Sequence, residues 1–202
     1  MEEDIYQTIE SASEGLFKDK GSKFIAYAFP VNNETEVKEI LVRIKKDHHS
    51  ARHHCYAWRI GTEEIQHRAN DDGEPSSTAG KPILGQLQSF NLTNTLVVVV
   101  RYFGGTLLGV SGLINAYKNA AADALKNATI VSRLIEKEWQ LNFTYNELSE
   151  VMNLVKQENL TIISTRFEEK CELIYSVRKN NEQRIAANFA NIYGVTVKSL
   201  AI

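Results

Sequence analysis

Hydrophobic residues recur along this chain in short blocks whose period switches between two and three to four. Residues 23–31 carry aromatic and small apolar side chains on both alternating sets, as in a strand covered on both faces. Val37, Ile40, Leu41 and Ile44 then fall on one stripe of a helix. Residues 54–60 and 65–69 read as strands joined around Gly61, a hairpin pattern. Residues 96–101, aliphatic from Leu96 to Val100, read as a central strand that Gly104-Gly105 breaks. Residues 111–127 return to the helical period with Leu113, Tyr117, Ala120, Ala121 and Ala124 inward, small enough to let a helix lie close on a sheet.

The last third has its own logic. Strand-like residues 139–145 precede a helix with Leu148, Val151, Met152 and Val155 on one side. Strands at 161–167 and 172–177 follow, then a helix with Ile185, Phe189 and Ile192 inward and a final strand at 195–200. Asn180, with Gln183 three residues on, is the expected cap of that helix, and Gly194 its stop. The order βαββαβ predicts a ferredoxin-like sandwich. The chain is therefore expected to be α+β with two domains, residues 1–134 and 135–202.

Between these blocks, residues 70–82 are almost wholly polar and predict a surface loop. Pro82 is expected to open a helix running to Phe90, capped by Ser77 or Thr78. Charge adds a constraint. The net charge is −2, with 16 acidic against 15 basic residues up to residue 134, so indiscriminate neutralisation of phosphate is excluded. Any nucleic-acid contact must be local. The acidic start lacks the order of a signal peptide, and no apolar run is long enough for a bilayer, so a cytoplasmic protein without membrane contact is expected. Cys55 and Cys171 read as reduced, packed thiols.

Candidate chemistry gathers between Arg52 and Tyr117. All five histidines lie between His48 and His67, but His49 and His53 straddle a helix-to-strand connection, and four convergent zinc ligands are not evident. No metal or cofactor is expected. Gly73 and Gly80-Lys81 are too far apart for a P-loop, and Pro82 stands where that motif needs Ser or Thr. A weaker anion site at a helix start, with Lys81 at its mouth, and a plain solvated loop both fit this segment. Arg101, Gly104 and Gly105 form a second strand–glycine–helix junction with free backbone N–H groups, although it lacks the dinucleotide spacing. Ser76 and Ser77 sit in no nucleophile elbow, so no catalytic residue is assigned. An enzyme reading would use Asp71, Asp72, Glu74 and the histidines, as a hydrolase or phosphate-handling site.

Four stretches taken together are more specific. Lys20-Gly21-Ser22-Lys23-Phe24, Arg52-His53-His54-Cys55-Tyr56-Ala57-Trp58, Asp71-Asp72-Gly73-Glu74-Pro75-Ser76 with Thr78-Ala79-Gly80-Lys81-Pro82-Ile83, and Arg101-Tyr102-Phe103-Gly104-Gly105-Thr106-Leu107-Leu108-Gly109 resemble the YigZ/IMPACT family, in the family's order. Ser77 stands where the family has glycine. The resemblance implies a first domain like the second domain of a small-subunit ribosomal protein and domain IV of elongation factor G. It implies a second domain similar to domain V of that factor. Eukaryotic members modulate translation by competing for the activator of an amino-acid-sensing kinase of a translation initiation factor.

The expectation is a non-enzymatic binding protein in translation or its regulation, contacting RNA, a ribosome-associated factor or a regulatory protein. The nucleic-acid or anion-binding candidates are Arg52, His53, His54, Arg68, Lys81, Arg101, Gly104 and Gly105. Asp71, Asp72, Gly73, Glu74, Ser76 and Gly80 form the accompanying loop. The two glycine loops are expected to make one anion-accepting surface.

Overall fold

A computed structural model describes residues 4–200. They fall into two compact units, Tyr6–Arg133 and a second in which the chain from Leu134 on is joined by Asp4 and Ile5.

The first unit contains β1 (Ile5–Ile9, its first residue counted with the second unit), β2 (Ser13–Asp19), β3 (Ser22–Pro30), α1 (Glu34–Asp47), β4 (His53–Ile60) and β5 (Gln66–Asn70). It continues through α2 (Gly80–Ser89), β6 (Thr95–Tyr102), α3 (Gly109–Lys126) and β7 (Ile130–Leu134, its last residue counted with the second unit). Five strands form one sheet in the order β2-β3-β6-β4-β5, with every neighbouring pair antiparallel. β1 and β7 make a separate two-stranded sheet. Neither of these, nor β2, is legible as an apolar run.

Alternation along β6 sends Val97 and Val99 to one core and Leu96, Val98 and Val100 to another, all fully buried. The first core takes Phe24, Ala26 and Cys55 from the sheet and Ile83, Leu87, Leu113, Tyr117 and Ala121 from α2 and α3. The second takes Val37 and Ile44 from α1, with Trp58. Helices thus cover both faces, the arrangement predicted for residues 23–31. The alanine face of α3 matters because a Cβ on Gly15 of β2 would lie 2.2 Å from the backbone nitrogen of Ala124.

The second unit runs β8 (Glu136–Phe143), α4 (Leu148–Gln157), β9 (Thr161–Phe167), β10 (Cys171–Arg178), α5 (Glu182–Ala190) and β11 (Thr196–Leu200). Its antiparallel sheet has the order β11-β8-β10-β9, so the βαββαβ order is that of a split βαβ sheet. Leu141, Leu173, Tyr175, Val151, Ile185 and Phe189 fill its core. Asn180 is not the cap of α5. A 3₁₀ turn over Lys179–Asn181 precedes the helix, and no side chain caps it. Asp4, expected with the first domain, belongs here: its carbonyl accepts from Ile135 N at 2.7 Å, and its carboxylate accepts from Arg178 Nη2 at 2.8 Å.

Candidate functional site

The register of the five-stranded sheet brings most of the candidate residues to one end. His53 at the start of β4 lies opposite Arg101 near the end of β6, and Lys23 at the start of β3 lies opposite Tyr102. Tyr56 pairs with Asn70, the last residue of β5, from which the polar loop departs. Loops at 20–21, 48–52, 71–79 and 103–108 therefore share this end. Arg68 does not join them. It is exposed and lies opposite Trp58, five residues along β4 from His53 and so roughly 16 Å away at the strand rise.

The polar loop is closed by its own first carboxylate. Asp71 Oδ1 accepts from Ala79 N at 3.0 Å and Gly80 N at 2.8 Å, and Oδ2 accepts from Ser77 N at 2.9 Å. Asp71 therefore occupies the position at the start of α2 where an external anion was expected. Neither Ser77 nor Thr78 caps α2; Thr78 Oγ1 donates to the Pro75 carbonyl at 2.6 Å instead. The helix opens at Gly80, so Pro82 is its third residue, inside the first turn where a missing N–H costs no bond. Gly80 is required there, because a Cβ would lie 2.5 Å from Asn70 N. Ser77 has a φ of +64°, the left-handed region where glycine is at ease. The departure at this position thus falls where the backbone favours glycine.

Asp72 and Glu74 are equally engaged. Asp72 Oδ2 accepts from His54 N at 2.7 Å, and Oδ1 lies 3.4 Å from Lys45 Nζ. Buried Glu74 accepts through Oε1 from Arg101 Nη1 at 2.6 Å and from the Tyr117 hydroxyl at 2.8 Å. This pair links the two glycine loops. It also corrects the role expected of Arg101, whose side chain is only 8% exposed and bonded to an internal carboxylate. Its guanidinium carbon lies 5.5 Å from the centre of the Phe24 ring and 5.6 Å from that of Phe103.

The histidines face separate backbone groups. His53 Nδ1 donates to the Asp72 carbonyl at 2.9 Å, and buried His54 donates from Nε2 to the His48 carbonyl at 3.1 Å. His48 lies between the Tyr27 and Tyr102 hydroxyls, each at 2.8 Å, and burial holds its imidazole below the usual range. Among the described residues, no group of three or more His, Cys, Asp and Glu is arranged to hold a metal ion. Cys55 Sγ sits 2.9 Å from the Asp71 carbonyl oxygen and 3.3 Å from the Tyr117 hydroxyl, and burial pushes the thiol far above its ordinary range. It is a packed thiol rather than a nucleophile.

The second glycine loop is held by contact. Gly104 N donates to Ser22 Oγ at 3.1 Å, and a Cβ on Gly104 would lie 1.9 Å from the carbonyl carbon of Gly21. Gly105 and Gly109 have φ of +87° and +72°. No side chain caps α3, and no acidic residue occupies its first turn, in contrast to the occupied start of α2. Around this junction Lys18, Lys20, Lys23, Arg52, Ser76 and Lys81 are exposed. Lys20, Lys23 and exposed Phe103 belong to the motifs quoted above but not to the expected site, and Lys18 lies outside those motifs. Sheet register and the contact of Gly104 with Gly21 bring them to it.

Residues 20–125, which contain every one of these loops, match the Impact N-terminal domain family. IMPACT family member YvyE of Bacillus subtilis is 35% identical over 83% of this chain and 77% of its own. The chain belongs to the IMPACT family. IMPACT family member YigZ of Escherichia coli is 31% identical, with 91% of each chain covered. A crystal structure described as that of a hypothetical protein superposes with a TM-score of 0.75 at 29% identity, over 99% of this chain and 98% of the other. Protein IMPACT of Oryctolagus cuniculus is 40% identical over 45% of this chain, but over only 30% of its own length. Membership of the IMPACT family covers both units, and its N-terminal domain match coincides with the clustered loops. No helix of the described residues is long and apolar enough to cross a membrane.

Proposed function

We propose that this IMPACT family member is a non-enzymatic cytoplasmic binding protein that acts in translation or its regulation, and that it holds RNA or a ribosome-associated partner on the loop end of its first unit. The observation that carries this reading is the division of charge there. Asp71, Asp72 and Glu74 accept hydrogen bonds from their own fold, while Arg52, Lys20, Lys23 and Lys81 are exposed and make no ion pair among the described residues. A chain of net charge −2 thus carries a local cationic surface, beside an uncapped helix start and glycines that admit close backbone approach. The likeness to parts of a ribosomal protein and of elongation factor G that the family resemblance implies for the two domains fits the same setting. The enzyme reading requires the Asp71-Asp72-Gly73-Glu74 loop to offer free carboxylates, and their present bonds weigh against it.

The test is a titration of purified ribosomes and of RNA against wild type, Arg52→Ala and Lys81→Ala over a range of salt. Each variant is expected to weaken binding and to lower the salt slope by about one ion. Unchanged affinity and slope in both folded variants would remove this surface. Failure of the wild type to bind either target would favour a protein-only interaction module.

A further inference from the structure

The loop end carries an aromatic ring that the cationic surface alone does not explain. Phe103 is 52% exposed, yet it is not loose: the Arg101 guanidinium lies against one side of it at 5.6 Å. That guanidinium is itself fixed, by Glu74 at 2.6 Å and by the fully buried Phe24 ring at 5.5 Å. Phe24 in turn packs edge-on against Tyr117, whose hydroxyl also binds Glu74. The result is a stack from core to solvent, with Phe103 as its outermost layer. An exposed ring backed by an immobile cation loses little freedom when a flat ligand covers it.

A second observation lies beside it. In the β2–β3 hairpin, Lys18 pairs directly with Lys23, and Lys23 pairs with Tyr102, the residue before Phe103. Like charges directly opposite one another destabilise a sheet, and an anion near both relieves that repulsion. Lys20 stands at the tip of the same hairpin, where Gly21 touches Gly104. Asp19 is the single carboxylate of this hairpin tip. These cations stand at the same end of the sheet as the ring, Lys18 and Lys23 on the face of Tyr102 and Phe103 beside Arg101 of the other face, so that a strand lying over Phe103 reaches them by crossing the end of the sheet; exposed Leu107 and Val110 follow Phe103 in the chain.

We infer that Phe103 is a base-stacking platform and that the ligand of this surface is single-stranded RNA, with Lys18, Lys20 and Lys23 tracking its backbone. Arg101 and Glu74 are positioning residues for the ring. This rests on the RNA reading above and narrows it. In a duplex the faces of the bases are stacked away, whereas every unpaired base offers one to an aromatic side chain.

The test compares full-length wild type, Phe103→Ala, Phe103→Trp and Lys23→Ala by fluorescence anisotropy. The probes are a labelled RNA strand of about a dozen nucleotides and the same strand annealed to its complement. The single strand is expected to bind more tightly than the duplex. Phe103→Ala is expected to weaken it by roughly fivefold to a hundredfold with no change in salt slope, and Phe103→Trp to retain it. Lys23→Ala should lower the slope by about 0.7. Equal affinity of Phe103→Ala and wild type for the strand, or a preference for the duplex, overturns the platform while leaving an RNA-binding surface standing. Absence of wild-type binding to both probes, with ribosomes retained, also overturns it. Absence of binding to both probes and to ribosomes overturns the broader reading as well. Circular dichroism checks the folds of the variants, and a half-exposed Phe103 can be replaced without opening the core.

Discussion

Replacing Glu74 with alanine removes the one carboxylate that Arg101 and Tyr117 share. Both members of the ion pair are nearly out of solvent, at 8% and 3% side-chain exposure, so the guanidinium left behind keeps its charge without compensation. Breaking a buried pair in this way costs about 3–5 kcal/mol. The Tyr117 hydroxyl loses its acceptor as well, and Arg101 Nε is already a buried donor without a partner. Urea unfolding is the assay. Trp58 belongs to the first unit and Trp139 to the second, so a Trp139→Phe background isolates the unit of interest. With a slope of about 1.5 kcal/mol per molar urea, the midpoint should fall by roughly 2–3 M. Replacing both partners by leucine should cost far less than the sum of the two single replacements, because no charge then remains buried. A loss below about 1 kcal/mol for Glu74→Ala, or strict additivity in the double variant, would refute the reasoning.

Burial holds His48 below its ordinary value, so the unfolded chain binds a proton that the folded one refuses. Stability read at Trp58 should therefore be flat above about pH 6.5 and fall as pH drops from there toward the lowered folded value; His48→Gln should flatten that window. In the second unit the Arg178 hydrogen bond lowers the Asp4 carboxyl, so its contribution is present above the ordinary carboxylate range and lost as pH falls through the lowered value. Arg178→Gln should move acid unfolding, followed at Trp139, to higher pH. Asp71→Ala removes the acceptor of three loop N–H groups and should cost roughly 2 kcal/mol by thermal unfolding, with the loop becoming protease-sensitive. Gly104→Ala drives a Cβ into the Gly21 backbone and should cost at least about 2 kcal/mol, whereas Gly85→Ala, in open space within α2, should not destabilise.

The sequence by itself determined the elements whose burial is periodic. Leu96 to Val100 read as a central strand, the alanine-rich face of α3 as one able to lie close on a sheet, and the last third through to its βαββαβ order. Strands β1, β2 and β7 escaped because no apolar period marks them, although β5 and β9, equally exposed, were legible. Local signals also marked where loops lie, since glycine and polar runs mark backbone that a core cannot hold. The partners of the charges were beyond local reach. Asp71 caps a helix eight and nine residues ahead, Glu74 meets Arg101 across 27 positions, and Gly104 meets Ser22 across 82. Those separations are closed by strand register, which depends on the whole sheet. Tertiary structure therefore decided that Arg101 is an internal brace, that the start of α2 is already occupied, and that Lys18, Lys23 and Phe103 are exposed at the same end of the sheet. A charge reads the same in a sequence whether a carboxylate waits for it in the core or a ligand waits in solvent.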